Sequence, residues 1–476
     1  MRRIIYPFNG EVALFSILSF YTFSEVMGAE SVDKPNVIII LNDDQGYSDL
    51  SCYGASDIKT PNIDALAKSG IKFTDFYVAS SVSSASRAAL LTGCYPQRVG
   101  VNGVFFPGEN GLNPNFLTIA EILKTAGYST AAVGKWHLGD ALEYLPTNQG
   151  FDSYFGIPYS NDMYPSKNIP YSKSCLFREG FNENRINTEF RKYNSDRPIT
   201  LKNKVPLVRN NECIEFPCDQ STITERYADE SINFIKQSVS NKRPFFLYLA
   251  NSMPHIPLYV SNKFKGSSSR GLYGDVIQEI DYNVGRIIQT LEELEVRENT
   301  IVILLSDNGP WLAVGKDAGN SYPLFEGKFT SFEGGFRVPA IISWPCKIPE
   351  NKVCNEIVSS IDIFPTIANI SGVRINQQLI DGRDINCLFK NPMGKSPREE
   401  MFMVFKASSV RFKNWKFHDK GIVYEVKKTM RNEKGPALYD LKNDIGERKN
   451  VINKYPEIAK KLKGMLDAHK IKMINE

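Results

Sequence analysis

The chain has 476 residues, of which 42% are hydrophobic and 23% charged, with a formal net charge of +4. This composition is typical of a globular protein and argues against a disordered or fibrous one. The net charge is small and no basic block is long or dense, which argues against a nucleic-acid-binding protein.

Residues 1–29 have the three-part layout of a secretory signal peptide. A basic opening, MRRIIYPFNGE, precedes the apolar run VALFSILSFYTF and the small residues of VMGAES. The apolar run is short for a membrane span, and the alternative interpretation is a buried first helix or strand. Because no other long apolar run follows, we expect an exported protein without an integral membrane segment.

Apolar strands alternate with amphipathic helices over most of the chain. The run PNVIIILNDDQG is continuously apolar before its polar end, which is typical of a strand buried on both faces of a parallel sheet. PFFLYLANSMPHIP and NTIVILLSDNGP are similar strands, and each follows a helical segment. The pattern predicts an α/β fold with a large, mostly parallel sheet flanked by helices.

Two segments depart from this alternation and suggest a domain organisation. Residues 159–221 are polar and rich in Asn, Lys and Arg, so they are expected to form a long insertion in an α/β domain of residues 30–392. Residues 393–476 contain short strand-like stretches, SVRFKNWKFHDKGIVYEV and ALYDLKN, before a final helix. They are expected to form a smaller C-terminal α+β subdomain of antiparallel strands and a helix.

The eight cysteines are compatible with an oxidising compartment without requiring one. Cys213 and Cys218 are close in sequence, with Cys175 upstream, and Cys346 and Cys354 flank a turn-like stretch. Local disulfides and buried free thiols both remain open as interpretations.

Polar residues capable of chemistry follow four of the predicted strands. Because the carboxyl ends of parallel strands share one edge of a sheet, these residues are expected to converge on a single site. Each group alone has a simpler explanation, since an acidic pair after a strand is often a turn or a helix cap and a single histidine is often structural. The residues are Asp43 and Asp44, Asp307 and Asn308, Lys135 and His137, and His255.

A fifth group is the stretch SVSSASRAALLTG, which contains Ser83 and Arg87. Its serines could simply cap the following helix, and Lys328 in a glycine-punctuated loop could be a surface residue. Carboxylate and amide oxygens at the strand ends suit Ca²⁺ or Mg²⁺ rather than Zn²⁺. Two lysines, an arginine and two histidines around them suit an anionic tetrahedral substrate. Together, these residues predict a metal-assisted hydrolase of sulfate or phosphate esters.

Eight motifs stand in order along the chain. Ser83 to Arg87 reads S-x-A-x-R and is followed by AALLTG. Seven further motifs lie between residues 36 and 450, namely NDDQG, TPNIDALAKSG, GKWHLG, PHIP, SDNGP, EGGFRVPAIISWP and LYDLKND. In sequence and in order, these motifs resemble those of the type I sulfatases of the alkaline phosphatase superfamily, whose hallmark is S-x-A-x-R followed by AALLTG.

The resemblance implies roles for individual residues. Ser83 takes the position that is oxidised to formylglycine (3-oxoalanine), whose hydrate attacks sulfur in a covalent mechanism. One Ca²⁺ ion would be held by Asp43, Asp44, Asp307, Asn308 and the modified Ser83 and would act as a Lewis acid. Arg87 and Lys135 match residues that stabilise the hydrate, and His137 matches the residue that acts as a base beside it. His255 and Lys328 match residues near the sulfate and the leaving oxygen, with His255 as the expected general acid.

The chain departs from the commoner family pattern at two positions. Ser83 replaces the cysteine of most members, and Ala85 replaces their proline. Both changes match the serine-type subgroup, which is bacterial and is matured before export by a radical-SAM sulfatase-maturating enzyme. We therefore expect that enzyme as a partner and the bacterial periplasm, the cell surface or the medium as the location.

The expected substrate is a sulfated carbohydrate, with Asn161 and Asp162 at the pocket rim or, alternatively, in a plain turn. A phosphate or phosphonate monoester hydrolase on the same scaffold and a non-catalytic sugar-binding relative are the competing functions.

Overall fold

A computed structural model describes residues 34–193, 197–419 and 435–475. The predicted signal peptide lies outside the described residues, as does the GIVYEV part of the predicted C-terminal strands. Of the helices in the described ranges, none combines the length and the apolar character needed to cross a membrane.

An 11-stranded sheet forms the centre of the protein, in the spatial order β12-β2-β11-β10-β1-β9-β4-β5-β7-β8-β6. All strands run in one direction except β7 and β11, so the prediction of a mostly parallel sheet is confirmed. The strands are β1 (Asn36–Asn42), β2 (Ile71–Phe73), β4 (Ser129–Gly134), β5 (Ser153–Gly156), β6 (Tyr171–Phe177), β7 (Leu207–Arg209), β8 (Glu212–Phe216), β9 (Phe245–Ala250), β10 (Thr300–Ser306), β11 (Ala340–Ser343) and β12 (Lys352–Cys354). A separate parallel pair is formed by β3 (Phe76–Tyr77) and β13 (Val358–Ser359).

Alternate residues of the central strands enter two hydrophobic cores on opposite faces of this sheet. In β1, Val37 and Ile39 join one core, and Ile38 and Ile40 join the other. This two-sided burial explains the continuous apolar run in the sequence. The helices are α1 (Pro61–Lys68), α2 (Ser83–Thr92), α3 (Ile119–Thr125), α4 (Glu183–Tyr193), α5 (Ile223–Ser240), α6 (Leu272–Glu293), α7 (Glu333–Phe336), α8 (Ile363–Ile370), α9 (Asn386–Lys390) and α10 (Pro456–Asn475).

The C-terminal part forms a second, antiparallel sheet of four strands, as expected. Its strands are β14 (Glu400–Phe405), β15 (Ala407–Phe412), β16 (Trp415–His418) and β17 (Ala437–Asp440). Val410 and Phe417 of this sheet pack with Leu462 and Leu466 of α10 in a small core of their own. The final amphipathic helix is thereby fixed to the sheet.

The polar segment 159–221 carries regular structure that its sequence does not suggest. Its strands β6, β7 and β8 extend the main sheet beyond β5, and α4 lies between β6 and β7. β7 and β8 have only three and five residues, and β6 at the sheet edge has no buried residue, so these strands escape detection by hydrophobic pattern.

All eight cysteines are thiols in the structure. The closest described contact joins Cys175 on β6 to Cys213 on β8, with 3.8 Å between the sulfur atoms. Cys346 is exposed, whereas Cys354 is buried.

Candidate active site

Four adjacent strands bring the predicted residues to one edge of the sheet. β10, β1, β9 and β4 are consecutive neighbours and run parallel, with Asn42 level with Ser306 and Gly134 level with Ala250. Their polar continuations therefore emerge side by side, as the strand-end argument predicts.

The acidic residues form a buried cluster at this edge. One carboxylate oxygen from each of Asp43, Asp44 and Asp307 lies within 4.8 Å of the other two. Asp44 has a left-handed backbone (φ 61°), and its N–H donates to Asp307 Oδ1 over 3.2 Å. Such strain is seldom kept except where surrounding contacts require the conformation. Asn308 Nδ2 donates to Asp44 Oδ1 over 2.7 Å.

This donor set fits a hard divalent cation. Ca²⁺ binds oxygen ligands at about 2.3–2.6 Å, so ligands on opposite sides of one ion lie about 5 Å apart or closer. The three carboxylates satisfy this spacing, and the Asn308 amide oxygen lies 3.4 Å from Ser83 Oγ at the same place. The oxygen ligands are unsuited to the softer metals that prefer sulfur or nitrogen.

Ser83 is the first residue of α2 and points into the acidic cluster. Its hydroxyl lies 2.6 Å from Asp307 Oδ2 and 3.1 Å from Asp43 Oδ1. The residue before the helix is Val82, and no side chain caps the helix start. The alternative that the serine run caps α2 through a side chain is therefore wrong.

Two buried cationic side chains pair with the carboxylates of this cluster. Arg87, one turn after Ser83, donates from Nε and Nη2 to Asp307 Oδ2 over 3.0 and 2.8 Å. Lys135 Nζ forms an ion pair with Asp43. Burial by itself raises the pKa of Asp43, but the neighbouring cations, led by Lys135, outweigh it and lower the pKa overall.

His137 follows β4 in a left-handed backbone conformation (φ 62°). Its Nε2 lies 3.1 Å from the Phe105 carbonyl, which can only accept, so Nε2 carries the proton. Nδ1 is buried and has no hydrogen-bond partner. Burial, reinforced by Lys135 and Arg87, lowers the pKa of His137 well below its usual value. A neutral ring with a free acceptor nitrogen is thus held at the site.

His255 and Lys328 contact the cluster through Asp44. His255 Nδ1 lies 2.6 Å from the Ile256 carbonyl, which orients Nε2 toward Asp44 Oδ2, 3.6 Å away. Lys328 Nζ lies 2.8 Å from Asp44, and this pairing raises the pKa of Lys328 against the effect of burial. The surface-lysine alternative for Lys328 is wrong, because only 3% of the residue is exposed.

Asn161 and Asp162 occupy different positions. Asn161 is fully buried, and its Oδ1 lies 3.1 Å from His255 Nδ1, so it helps to fix the orientation of the histidine ring. Asp162 is partly exposed, and its buried Oδ1 has no partner. His255 counters burial and lowers the pKa of Asp162.

Two further residues at the site escape the sequence argument. Ser160 lies 3.3 Å from Lys135 Nζ and 3.5 Å from His255 Nδ1. Trp311 lies beside the His255 ring and below Lys328 Nζ, which is 5.1 Å from the indole centroid. Ser160 follows the end of β5, next to β4, so the strand-end argument could have found it; Trp311 lies in a loop with no such signal.

Comparison with known proteins decides the family. Residues 35–373 match the family described as Sulfatase, and residues 321–472 match N-sulphoglucosamine sulphohydrolase, C-terminal. The chain belongs to the sulfatase family. It is accordingly a type I sulfatase, a sulfuric ester hydrolase with an alkaline phosphatase-like fold.

Several curated relatives are similar over most of this sulfatase. Human arylsulfatase A is 35% identical over 455 residues, which cover 90% of this chain and 86% of the relative. Rat arylsulfatase G is 38% identical and covers 77% of this chain and 70% of its own length. Canine N-acetylgalactosamine-6-sulfatase is 38% identical over 75% of this chain and 66% of its own.

Solved structures confirm the fold. Ps i-CgsB in complex with k-i-k-neocarrahexaose is 29% identical, with a TM-score of 0.77 over 91% of this sulfatase and 92% of that chain. PsFucS1 sulfatase from Pseudoalteromonas sp. is 28% identical, with a TM-score of 0.78 over 93% and 91% of the two chains. The phosphonate monoester hydrolase of Agrobacterium radiobacter is 18% identical with a TM-score of 0.64, which shows a shared fold alone.

Proposed function

We propose that this sulfatase hydrolyses a sulfate ester on a carbohydrate, with a formylglycine made from Ser83 and one calcium ion. The observation that carries the proposal is the position of the Ser83 hydroxyl, 2.6 Å from one carboxylate and 3.1 Å from another within the buried acidic cluster. A serine there is beside both a cation site and the cationic side chains that would hold an anionic ester.

Asp43, Asp44, Asp307, Asn308 and the modified Ser83 would hold the calcium ion. When bound, Ca²⁺ would supply a Lewis acid that draws electron density from a sulfate oxygen. Lys328 pairs with Asp44 and Lys135 with Asp43, and both offer ammonium groups to the remaining sulfate charge. Both are buried, so their charges are little screened by water.

Conversion of Ser83 to formylglycine removes two hydrogens, which we assign to a radical-SAM sulfatase-maturating enzyme as the oxidising partner. The hydrated aldehyde would supply a nucleophilic hydroxyl and a second hydroxyl for release of sulfate. Arg87 stabilises the negative charge that collects at this position. We assign the buried, unpartnered Nδ1 of His137 as the acceptor for a proton from the second hydroxyl.

His255 is the proposed general acid. Its Nδ1 donates to the Ile256 carbonyl, so the proton for the leaving oxygen would come from Nε2 of the protonated ring, the form that burial and Lys328 disfavour by lowering the pKa of His255. Asn161 and Ser160 fix the ring from the Nδ1 side. This support leaves Nε2 directed at the cluster, where the ester oxygen must leave.

Two findings support a carbohydrate substrate. The structural neighbour with a TM-score of 0.77 is described in complex with a neocarrahexaose, and one group of relatives is named for N-acetylgalactosamine 6-sulfate hydrolysis. In this chain, Asp162 is partly exposed and close enough to His255 for the histidine to lower its pKa, so we assign its carboxylate to accept a hydrogen bond from a sugar hydroxyl.

We also propose export to the periplasm or cell surface, and a division into residues 30–392 and 393–476.

Mass spectrometry of the tryptic peptide that ends at Arg87 tests the proposed nucleophile. Protein from the native host should show a loss of two hydrogens at Ser83 and at no neighbouring serine. Initial rates on matched sulfate, phosphate and phosphonate esters, followed by a panel of defined sulfated saccharides, test the reaction. Unmodified Ser83 in native material would favour a non-catalytic sugar-binding protein. A preference for phosphate or phosphonate esters would favour a phosphate or phosphonate monoester hydrolase.

A further inference from the structure

A short turn meets the loops that carry the proposed catalytic residues. The turn contains α7, and the Gly335 carbonyl accepts a hydrogen bond from the Gly309 N–H over 3.1 Å. Gly309 directly follows the proposed metal ligand Asn308. The two segments touch so closely that a Cβ on Gly309 would lie 1.7 Å from the Gly334 carbonyl oxygen. The position of the turn therefore constrains the metal loop.

The same turn continues backwards into the loop of Lys328. The Lys328 N–H donates to the Pro310 carbonyl over 2.9 Å, and the Phe329 N–H donates to the Ser81 carbonyl over 3.1 Å. Ser81 lies two residues before Ser83. Three active-site loops, those of Asn308, Ser83 and Lys328, thus converge on residues 328–335.

The C-terminal subdomain holds this turn through a buried carboxylate. Glu447 Oε2 accepts a hydrogen bond from the Glu333 N–H over 2.8 Å. Its other oxygen lies 2.8 Å from His418 Nε2 and 3.3 Å from Lys416 Nζ. All four side chains are fully buried. Glu447 therefore joins the first N–H of α7 to strand β16.

A second set of contacts fixes the turn from the same sheet. The His418 proton on Nε2 faces Glu447, which leaves Nδ1 to accept from the Ser331 hydroxyl at 3.3 Å. The Ser409 hydroxyl donates to the Ser331 carbonyl over 2.9 Å. The His418 ring also packs on Phe332, with 4.6 Å between centroids.

The charges in this region are paired across the two parts of the chain. Glu333 accepts from Lys416 Nζ over 3.0 Å, and Arg411 lies 3.8 Å from its other oxygen. Burial by itself raises the pKa of Glu333, but Lys416 and Arg411 outweigh it and hold the pKa below its usual range. A buried pair adds little net stability but strongly favours the one arrangement in which every charge is matched. Such a network defines geometry more than it stabilises the fold.

We propose that Glu447 is a positioning residue for the sulfatase reaction. It acts through Glu333 and the 328–335 turn, which it holds so that Lys328 lies beside Asp44. Through this contact, the C-terminal subdomain takes part in shaping the active site. The proposal rests on the proposed function, because it assigns Lys328 to sulfate binding.

A double-mutant cycle with Lys328 tests the proposal. We expect Glu447→Gln to lower kcat/KM by about tenfold or more, mainly through KM, since small displacements of binding groups are costly. Binding of inorganic sulfate, measured by calorimetry, should weaken by a similar factor. In a Lys328→Ala background the same change should cost less than about twofold, because the residue through which Glu447 acts is already gone.

Leu466→Ala is the matched control. Leu466 lies on α10 and packs against the four-stranded C-terminal sheet, in a core that does not include the 328–335 turn. The substitution should therefore lower stability but leave kcat/KM within about twofold of the wild type. If Glu447→Gln does not fold, Ser409→Ala removes one milder contact and should give a smaller loss that again disappears in the Lys328→Ala background.

Two results would overturn the proposal: an active wild type whose kcat/KM is unchanged in the folded variant, or a loss of equal size with and without Lys328. A wild type that hydrolyses no sulfate ester would instead contradict the proposed function.

Discussion

Arg87 and Ser83 both donate a hydrogen bond to the same carboxylate oxygen, Oδ2 of Asp307. Asp307 Oδ2 lies 2.6 Å from the Ser83 hydroxyl and 2.8 Å from Arg87 Nη2, and the two residues are one turn apart on α2. The helical spacing of four residues therefore places the guanidinium directly behind the proposed nucleophile. Among the neighbouring serines, Ser84 instead accepts from the Phe105 N–H.

We expect Ser83→Ala to abolish activity, with a loss of at least about a thousandfold in kcat, because no other group can replace a covalent nucleophile. Ser86→Ala is the matched control, since alanine is favourable inside a helix and Ser86 is not placed at the acidic cluster. Steady-state rates of the matured variants on 4-nitrophenyl sulfate measure both. A Ser83→Ala enzyme that retains a tenth of the activity would exclude Ser83 as the nucleophile.

Removal of the proposed calcium ion should inactivate the enzyme and lower its stability. Three carboxylates within 4.8 Å repel one another, and a ligand at 100 times its Kd stabilises the folded state by about 2.7 kcal/mol. Chelator-treated enzyme should therefore unfold at a lower temperature, and added Ca²⁺ should restore both properties. The Ca²⁺-dependent shift in Tm should be lost in Asp44→Asn and kept in Asp162→Asn. An equal shift in both variants would place the ion elsewhere.

The role of His255 can be separated from that of Lys328 by the leaving group. A sugar alkoxide needs a proton as it leaves, whereas 4-nitrophenolate does not, and general acid catalysis contributes about 10²- to 10⁴-fold. His255→Ala should therefore slow hydrolysis of a sugar sulfate by about a hundredfold more than that of 4-nitrophenyl sulfate. Lys328→Ala removes the proposed sulfate-binding ammonium group and should therefore slow both substrates alike. Equal losses in His255→Ala would contradict its assignment as the acid.

The central sheet and its catalytic edge could be predicted because both are encoded locally. Strands buried on two faces give continuous apolar runs, and their polar continuations mark the shared edge. Strands β6–β8 could not be predicted in this way, since β7 and β8 are too short for a periodic signal and β6 at the sheet edge has no buried residue. The pairing of Glu447 with the Glu333 N–H, 114 residues away, was equally out of reach because it depends on how the two sheets pack.

Cys175 and Cys213 should form a disulfide under oxidising conditions. β6 advances five residues between Tyr171 and Leu176 while β8 advances two between Cys213 and Glu215, and this irregularity brings the two sulfurs to 3.8 Å. With glutathione disulfide as oxidant, the two thiols would release two protons and two electrons, yielding one protein disulfide and two glutathione thiols. The link should stabilise the edge strands by up to about 4 kcal/mol in the chain-entropy account.

Burial raises the pKa of both thiols, so the reaction should be slow at neutral pH and faster in alkaline buffer. Non-reducing peptide mapping after treatment with glutathione disulfide measures the link. It should persist in Cys218→Ser and be absent in Cys175→Ser. A bond between Cys213 and Cys218, the pair suggested by sequence proximity, would show that the spatial contact does not determine the pairing.

Buried His469 should make the stability of the fold depend on pH. Its ring stacks on Phe402 with 4.0 Å between centroids, and its Nε2 has no hydrogen-bond partner. Burial lowers its pKa to about 4, although Asp381 partly opposes the shift and Lys472 adds to it. The unfolded chain, with a pKa near 6.5, therefore takes up the proton before the folded protein does.

The stability associated with neutral His469 is fully present above about pH 6.5 and is lost as the pH falls toward 4. The full difference between the two pKa values corresponds to about 3 kcal/mol. Urea unfolding at pH 7.5 and pH 4.5 should show a larger loss in the wild type than in His469→Phe, which keeps an aromatic ring against Phe402 but cannot be protonated. Because the other titrating groups, including Arg98 and Arg398 near the ring, are the same in both proteins, the difference between the two losses isolates His469. Equal losses would mean that His469 gains its proton equally well in the folded and unfolded states.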